Sequence, residues 1–255
     1  MSAAHHAGGK ILALAAAVGL LALTACGEED TAAAEGDDSP RAGSDRLVSA
    51  AEAGLERAGS FGFGSAGFAT ENQLETTREE AGEVLPGTSQ EDISPAECAE
   101  PIASVDFQPI MLEEDAARAD FVSETFTGTG SLEIAHVPDG EAQQRVDEHM
   151  ENVAELVESC GDVEITLEEV DYHYEIGPVE LESLPEETTA AYTRTQRLGE
   201  DGADGTIAAQ MLFTQAGDDV VMVSFIGEEA ANSQEFTQIA EAITGEIVDA
   251  LDEEQ

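Results

Sequence analysis

Across 255 residues the chain carries 56 acidic side chains against nine lysines and arginines, for a formal net charge of −47. No basic patch exists to displace phosphate counterions, so nucleic acid is excluded as a partner and anionic lipid headgroups are repelled. The acids are scattered through every segment, and past Lys10 every basic side chain is arginine. That balance fits a solubility device for a salty or alkaline exterior, where the screening length shrinks from about 10 Å at 0.1 M salt to about 3 Å at 1 M. A polyvalent cation-binding surface is the alternative.

The chain opens as an export signal opens. Met1 to Lys10 is a short polar start, and Ile11 to Leu23 is an uncharged apolar run. At about 13 residues this run falls short of the roughly 20 that span a bilayer. Leu23-Thr24-Ala25-Cys26 closes it in the manner of a bacterial lipobox, with small residues before a cysteine. Residues 1–25 are therefore expected to be a lipoprotein signal peptide and Cys26 the lipidated first residue. Two or three acyl tails of the palmitate kind would anchor the chain stably to the extracytoplasmic face of the cell membrane. An ordinary signal peptide that leaves Cys26 a free thiol is the other possibility. Residues 26–44, rich in Ala, Gly, Asp, Glu and Ser, read as a flexible acidic tether.

Residues 45–255 read as one α+β domain. Leu47, Val48, Ala51, Leu55 and Ala58 recur at helical spacing, with Ser44 or Asp45 to cap the helix and Gly59 to end it. Phe61 to Phe68 alternates aromatics with glycine and serine, as in an irregular strand or turn laying rings on the core; a mobile lid is the alternative. Thr70 to Gln90 is polar and ambiguous. Ser131 to Val137 alternates as a strand with Leu132 and Ile134 on one face, and Pro138-Asp139-Gly140 turns the chain. Val146, Met150, Val153, Ala154 and Val157 then mark a helix that ends at Cys160 with Gly161 as its cap. Strand-like runs follow at Val163–Tyr174, Ile176–Leu181, Thr188–Leu198, Thr206–Thr214 and Val220–Ile226. Turns at Gly202–Gly205 and Gly217-Asp218-Asp219 make them an antiparallel meander. Asn232 or Ser233 caps a final amphipathic helix with Phe236, Ile239, Ala240, Ile243, Ile247 and Leu251 on one face. Amphipathic helices covering one face of an antiparallel sheet is the expected architecture.

Of the three cysteines, Cys98 and Cys160 remain once Cys26 is lipidated, and an exported chain with one such pair most simply forms a disulfide. Acids flank both (Glu97 and Glu100; Glu158 and Asp162), which raises a thiol pKa and favours a structural staple over a redox switch or nucleophile. Past the leader the histidines are His136, His149 and His173. His136 shares its strand face with Leu132 and Ile134, as a packed or hydrogen-bonded residue would. His149 falls on the outer side of its helix, beside Asp147 and Glu148, and is expected to be solvated. On a strand, Asp171, His173 and Glu175 would point to one face, a mixed nitrogen and oxygen set that could hold a divalent metal. In so acidic a chain such a grouping also arises by chance. No nucleophile elbow, H-E-x-x-H helix, phosphate loop or EF-hand loop is present, so neither an enzyme nor a cofactor is expected.

The run Ser94-Pro95-Ala96-Glu97-Cys98, an alternating strand, an amphipathic helix ending in Cys160, a meander, the strand Asp219-Val220-Val221-Met222-Val223 and a closing helix together resemble the actinobacterial PknH-like extracellular sensor domains, in their stand-alone lipoprotein form. The similarity covers about residues 93–251. It implies a Cys98–Cys160 bond and an open cleft, framed by sheet and helices, that takes a ligand. Two features depart from the family. Its kinase members usually carry a second disulfide, which this chain cannot form, and often a Trp where Val157 stands. The expected role is thus a lipid-anchored domain that binds or senses a small molecule or envelope component, with a cleft lined by strands between Val163 and Ile226. An envelope lipoprotein that docks a protein partner, or a secreted metal-dependent hydrolase around His173, are the alternatives.

Overall fold

The computed structural model describes residues 40–83, 92–138, 140–167, 170–199, 202 and 205–253. The signal peptide, Cys26 and the tether through residue 39 lie outside the described residues, as do Asp139 and residues 203–204 of two expected turns. Helix α1 (Asp45–Ser60) runs from Ser44 to Phe61 and buries Leu47, Ala50, Ala51, Gly54 and Ala58. The polar stretch after it forms strand β1 (Ser65–Phe68) and helix α2 (Glu71–Glu83). Thr70 and Gln73 set the start of α2, because Gln73 Oε1 accepts from the Thr70 N–H at 2.7 Å and from its hydroxyl at 3.0 Å. This is the capping-box arrangement that satisfies donors at a helix start.

Strands β2 (Ile93–Ser94), β3 (Ala116–Val122), β4 (Thr129–His136), β5 (Asp162–Leu167), β6 (Val170–Pro178), β7 (Thr189–Leu198), β8 (Gly205–Ala216) and β9 (Asp219–Ile226) join β1 in one sheet. Its order is β1-β3-β4-β9-β8-β7-β6-β5-β2, and all eight pairings are antiparallel. The run expected as one strand from Val163 to Tyr174 is a hairpin, β5 and β6, reversing between Leu167 and Val170. Gly217, at φ 62°, makes the tight β8–β9 turn, a conformation cheap only for residues without a Cβ.

The α+β class, the antiparallel sheet and the single disulfide are as expected, but the helices do not all lie on one face. Helix α1 and helix α5 (Gln234–Glu253), the latter preceded by the short helix α4 (Glu228–Ala231), cover one side, over Ala117, Leu132, Ile134, Leu212, Val221, Val223 and Phe225. Helix α3 (Glu141–Ser159) and the 96–112 connection cover the other, over Ala135, Ala209, Met211, Phe213, Val220 and Met222. The reason lies in the central strands: every residue from Gly130 to Ala135 and from Asp219 to Phe225 is buried. Such strands must be covered on both faces, since successive side chains point to opposite sides. The α1–α5 crossing is close because Gly54 has no side chain; a Cβ there would stand 2.6 Å from Ile247 Cγ1. All six apolar residues expected on the last helix are buried in α5.

The Cys98–Cys160 disulfide is formed, across a sequence separation of 62. Cys160 is the C-cap of α3, and Gly161, expected to take the left-handed cap conformation, is not among the positive-φ glycines. Among the described residues no helix is long and apolar enough to cross a membrane.

Candidate functional site

The sheet has two chemically different ends. At one, the chain enters: Arg41 pairs with Thr70 in a short antiparallel bridge, and the Ser44 N–H bonds Asp115 Oδ1 at 2.7 Å. Just inside, Arg46 of α1 donates to both oxygens of Asp219 at 2.7 and 2.6 Å, and His136 Nδ1 lies 3.0 Å from Asp219 Oδ1. Burial alone would raise the Asp219 carboxyl, but the Arg46 and His136 hydrogen bonds hold it below its ordinary value. His136 is thus the hydrogen-bonded residue its strand position implied, clamping α1 to β4 and β9.

At the far end, α1 runs out beside the turn that leads into β1. There a groove of about 630 Å³ is lined by Glu52, Leu55, Glu56, Gly59, Gly62, Phe63 and Gly64. Phe63 is both wall and core residue, with ring centroids 5.3 Å from Phe121 and 5.4 Å from Phe225. The aromatic run therefore does lay a ring on the core, as its glycine-rich pattern implied. Phe61 and Val122 stay 40% exposed at this same end, and Arg57 lies over the Phe61 ring at 4.9 Å. The groove is not where the sequence placed a cleft, since none of its lining residues lies between Val163 and Ile226.

A second concentration of polar groups is buried on the α3 side. His149, expected in solvent, is 3% exposed. It stacks on Phe107 at 4.1 Å and meets the edge of Phe213 at 4.9 Å. The buried stripe of α3 is Ala142, Val146, His149, Val153 and Leu156, continuing to Cys160, rotated from the one read through Met150 and Val157. Burial pushes His149 down to about 4. Glu133, 2% exposed on β4, accepts from Arg118 Nη1 at 3.1 Å. Burial pushes its carboxyl up to about 7, against the pull of Arg118 and the Ile110 N–H.

These two shifts act oppositely on stability. His149 is depressed in the fold, so its contribution is present above about 6.5 and lost as pH falls towards 4. Glu133 is raised, so its contribution is full below about 4.5 and lost as pH rises through about 7. His149→Phe keeps the ring packing and removes the first term alone. Between pH 7 and pH 5 the variant is expected to gain about 2 kcal/mol on the unaltered protein. Denaturant unfolding at the two pH values checks this, and an unchanged difference would mean that His149 is not neutral in the fold.

The candidate metal residues are separated in their bonding. His173 Nε2 lies 3.6 Å from Asp162 and 3.9 Å from Glu175. Glu175 is taken by Arg197 at 2.6 Å, and Asp171 accepts from the Thr166 hydroxyl at 2.9 Å. Among the described residues no group of three or more His, Cys, Asp or Glu side chains is placed to hold a metal ion.

No protein-family model matches the chain, and no curated protein matches it. Among solved structures it is similar to the extracellular domain of PknH from Mycobacterium tuberculosis, at 15% identity and a TM-score of 0.42, over 84% of this chain and 98% of that one. It is also similar to an uncharacterised protein from Mycobacterium smegmatis, at 12% identity and a TM-score of 0.42, over 83% of this chain and 98% of that one.

Proposed function

We propose that this chain is a lipid-anchored extracytoplasmic domain that binds or senses a small molecule or envelope component in the groove beside the end of α1. The groove carries the reading: its lining combines the apolar Leu55 and Phe63 with Glu52, which Arg41 pairs, and Glu56. That chemistry suits an apolar group bearing positive charge. Arg41, near where the tether joins, pairs with Glu52 of the lining, and anchoring through Cys26 would put the groove on the extracytoplasmic side. The lipobox motif and a buried disulfide agree with that compartment. Docking of a protein partner is the second reading, favoured by exposed Phe61 and Val122 at the same end.

Gly59 offers a direct test, because a Cβ there meets nothing within 4 Å and would project into open space. Native mass spectrometry of protein extracted from its own envelope is expected to show acyl mass on Cys26 and an additional releasable mass. Gly59→Phe fills the groove and is expected to remove the releasable mass while leaving the acyl mass. Retention of that mass by the variant, or its absence from both proteins, would count against the groove and for the docking reading.

A further inference from the structure

Residues 96–114 form a strap across the α3 face of the sheet, built from three short 3-10 turns (Ala96–Ala99, Pro101–Ser104 and Pro109–Met111). Cys98 ties one end to Cys160. Tyr192 Oη and Arg194 Nη1 of β7 donate to the Val105 carbonyl at 3.0 and 3.1 Å, and Arg194 also pairs with Asp106. Helix α3 holds the middle through Asn152 Nδ2 on Ser104 Oγ at 2.9 Å and through the His149–Phe107 stack. At the far end Arg145 donates to the Met111 carbonyl, Arg78 of α2 to those of Ile110, Glu113 and Glu114, and the Ile110 N–H donates to Glu133.

Two of these anchors are left incomplete. Glu133 Oε2 and His149 Nδ1 are buried without a hydrogen-bond partner, and Gln108 Oε1, between them on the strap, is in the same condition. Buried polar atoms are nearly always paired, so orphans grouped along one segment call for a reason. Met222 and Phe213 link the two sites: Glu133 pairs with Met222 across β4 and β9, and Met222 with Phe213, the ring beneath His149. We propose that the strap is a proton-gated element, seated while Glu133 is protonated and His149 neutral, and lifted from the sheet and α3 when either becomes charged.

The charges around each group set the direction. Glu133 faces Arg118 and Asp120 from β3, and Arg118 divides its fork between them, with Nε and Nη2 on Asp120 at 3.2 and 3.1 Å. Among the described residues, ionised Glu133 therefore has one shared cation and a buried oxygen with no donor. His149 faces the Phe107 and Phe213 rings, with Arg145 and Asn152 flanking it at i−4 and i+3 on α3. Beyond Phe107, Asp106 is engaged by Arg194. Among the described residues burial alone acts on this imidazole, so acid also unseats the strap.

Amide hydrogen exchange on the full chain, corrected for intrinsic rates, tests the gate from pH 5 to pH 9. One linked proton changes the opening equilibrium by up to tenfold per pH unit. As pH rises from about 4.5 to about 7, ionisation of Glu133 is expected to lower the protection of the Phe107, Ile110, Met111 and Leu112 amides by up to that factor per unit. No further loss is expected above about 7, and no response in α5. Below about 6.5 the His149 contribution runs the other way and offsets it. His149→Phe is expected to show the Glu133 slope alone, with protection falling from pH 5 to pH 7, and Glu133→Gln the His149 slope alone, with protection rising from pH 5 to about 6.5. Constant protection of the His149→Phe protein from pH 5 to pH 7, or a Glu133→Gln protein with the unaltered profile, overturns the proposal. Should Glu133→Gln fail to fold, the carboxyl carbon-13 shift of Glu133 in the unaltered protein decides. Titration that coincides with loss of protection supports the gate; titration in the ordinary carboxylate range overturns it.

Discussion

Replacing Cys98 and Cys160 together by serine is expected to cost about 4 kcal/mol, because the bond closes a loop spanning 62 residues. For a domain of this size that lowers Tm by about 10 °C. The double variant is the clean comparison, since a single change leaves a free buried thiol. Both positions are almost fully buried, and the bond joins the start of the strap to the end of α3. It also stands beside the weakest part of the sheet. Strand β2 is two residues long and pairs only with β5 at the edge, so its protection against hydrogen exchange should be lost first. Circular dichroism melts of the two proteins check the magnitude. A loss below about 1 kcal/mol would mean that the polar anchors of the strap hold it without covalent help.

How far the sequence disclosed this fold depended on whether the pattern in a segment had one reading. Helices α1 and α5 were legible because their apolar residues recur at i, i+3, i+4 and i+7, although Ser44 makes no side-chain cap and α1 runs past Gly59 to Ser60. The β8–β9 hairpin was legible from its glycine turn. Strand β3 was not, since Ala116-Ala117-Arg118-Ala119-Asp120 has weak strand propensity and becomes a strand only through pairing with β1 and β4. Helix α2 carries Leu74 as its buried apolar residue among the side chains described, too little for a stripe, although Thr70 and Gln73 do encode its start. The two-faced burial was written in the unbroken apolar run from Val220 to Val223, which signals cover on both sides more than it signals alternation.

The candidate site was less legible for a related reason. On α3, His149 falls at i+3 from Val146 and i−4 from Val153, inside the buried stripe, yet its acidic neighbours Asp147 and Glu148 suggest an exposed face. Hydropathy alone cannot separate a buried neutral imidazole from a solvated one; the spacing could have. Glu133 gave no signal, as one acid among 56. Its burial follows from the strap, whose course over the sheet is a tertiary fact. The groove depends on where α1 ends against Phe63, and no local pattern encodes that meeting.

Glu241 is the strongest case of an acid with a structural task. It is 2% exposed in α5, and its Oε1 accepts the consecutive N–H groups of Glu182, Ser183 and Leu184 at 2.9, 2.7 and 3.1 Å. One carboxylate thereby latches the β6–β7 connection onto the helix, while Leu181 and Leu184 pack against the same cluster. Hydrogen bonds to a charged acceptor are worth about 1.5 to 3 kcal/mol each. The donors sit in an exposed loop, so water recovers part of this when the acceptor is removed. Glu241→Ala is therefore expected to cost about 3 kcal/mol and to strip exchange protection from the three amides. Glu241→Gln, which keeps an acceptor oxygen but loses the charge, should cost about 1 kcal/mol. The sign discriminates between two accounts of this acidic chain. If mutual repulsion dominated at every acid, deleting a negative charge from a protein of net charge −47 would stabilise it. A loss of stability on Glu241→Ala, measured by denaturant unfolding at low salt where repulsion is unscreened, shows that this carboxylate holds the fold together.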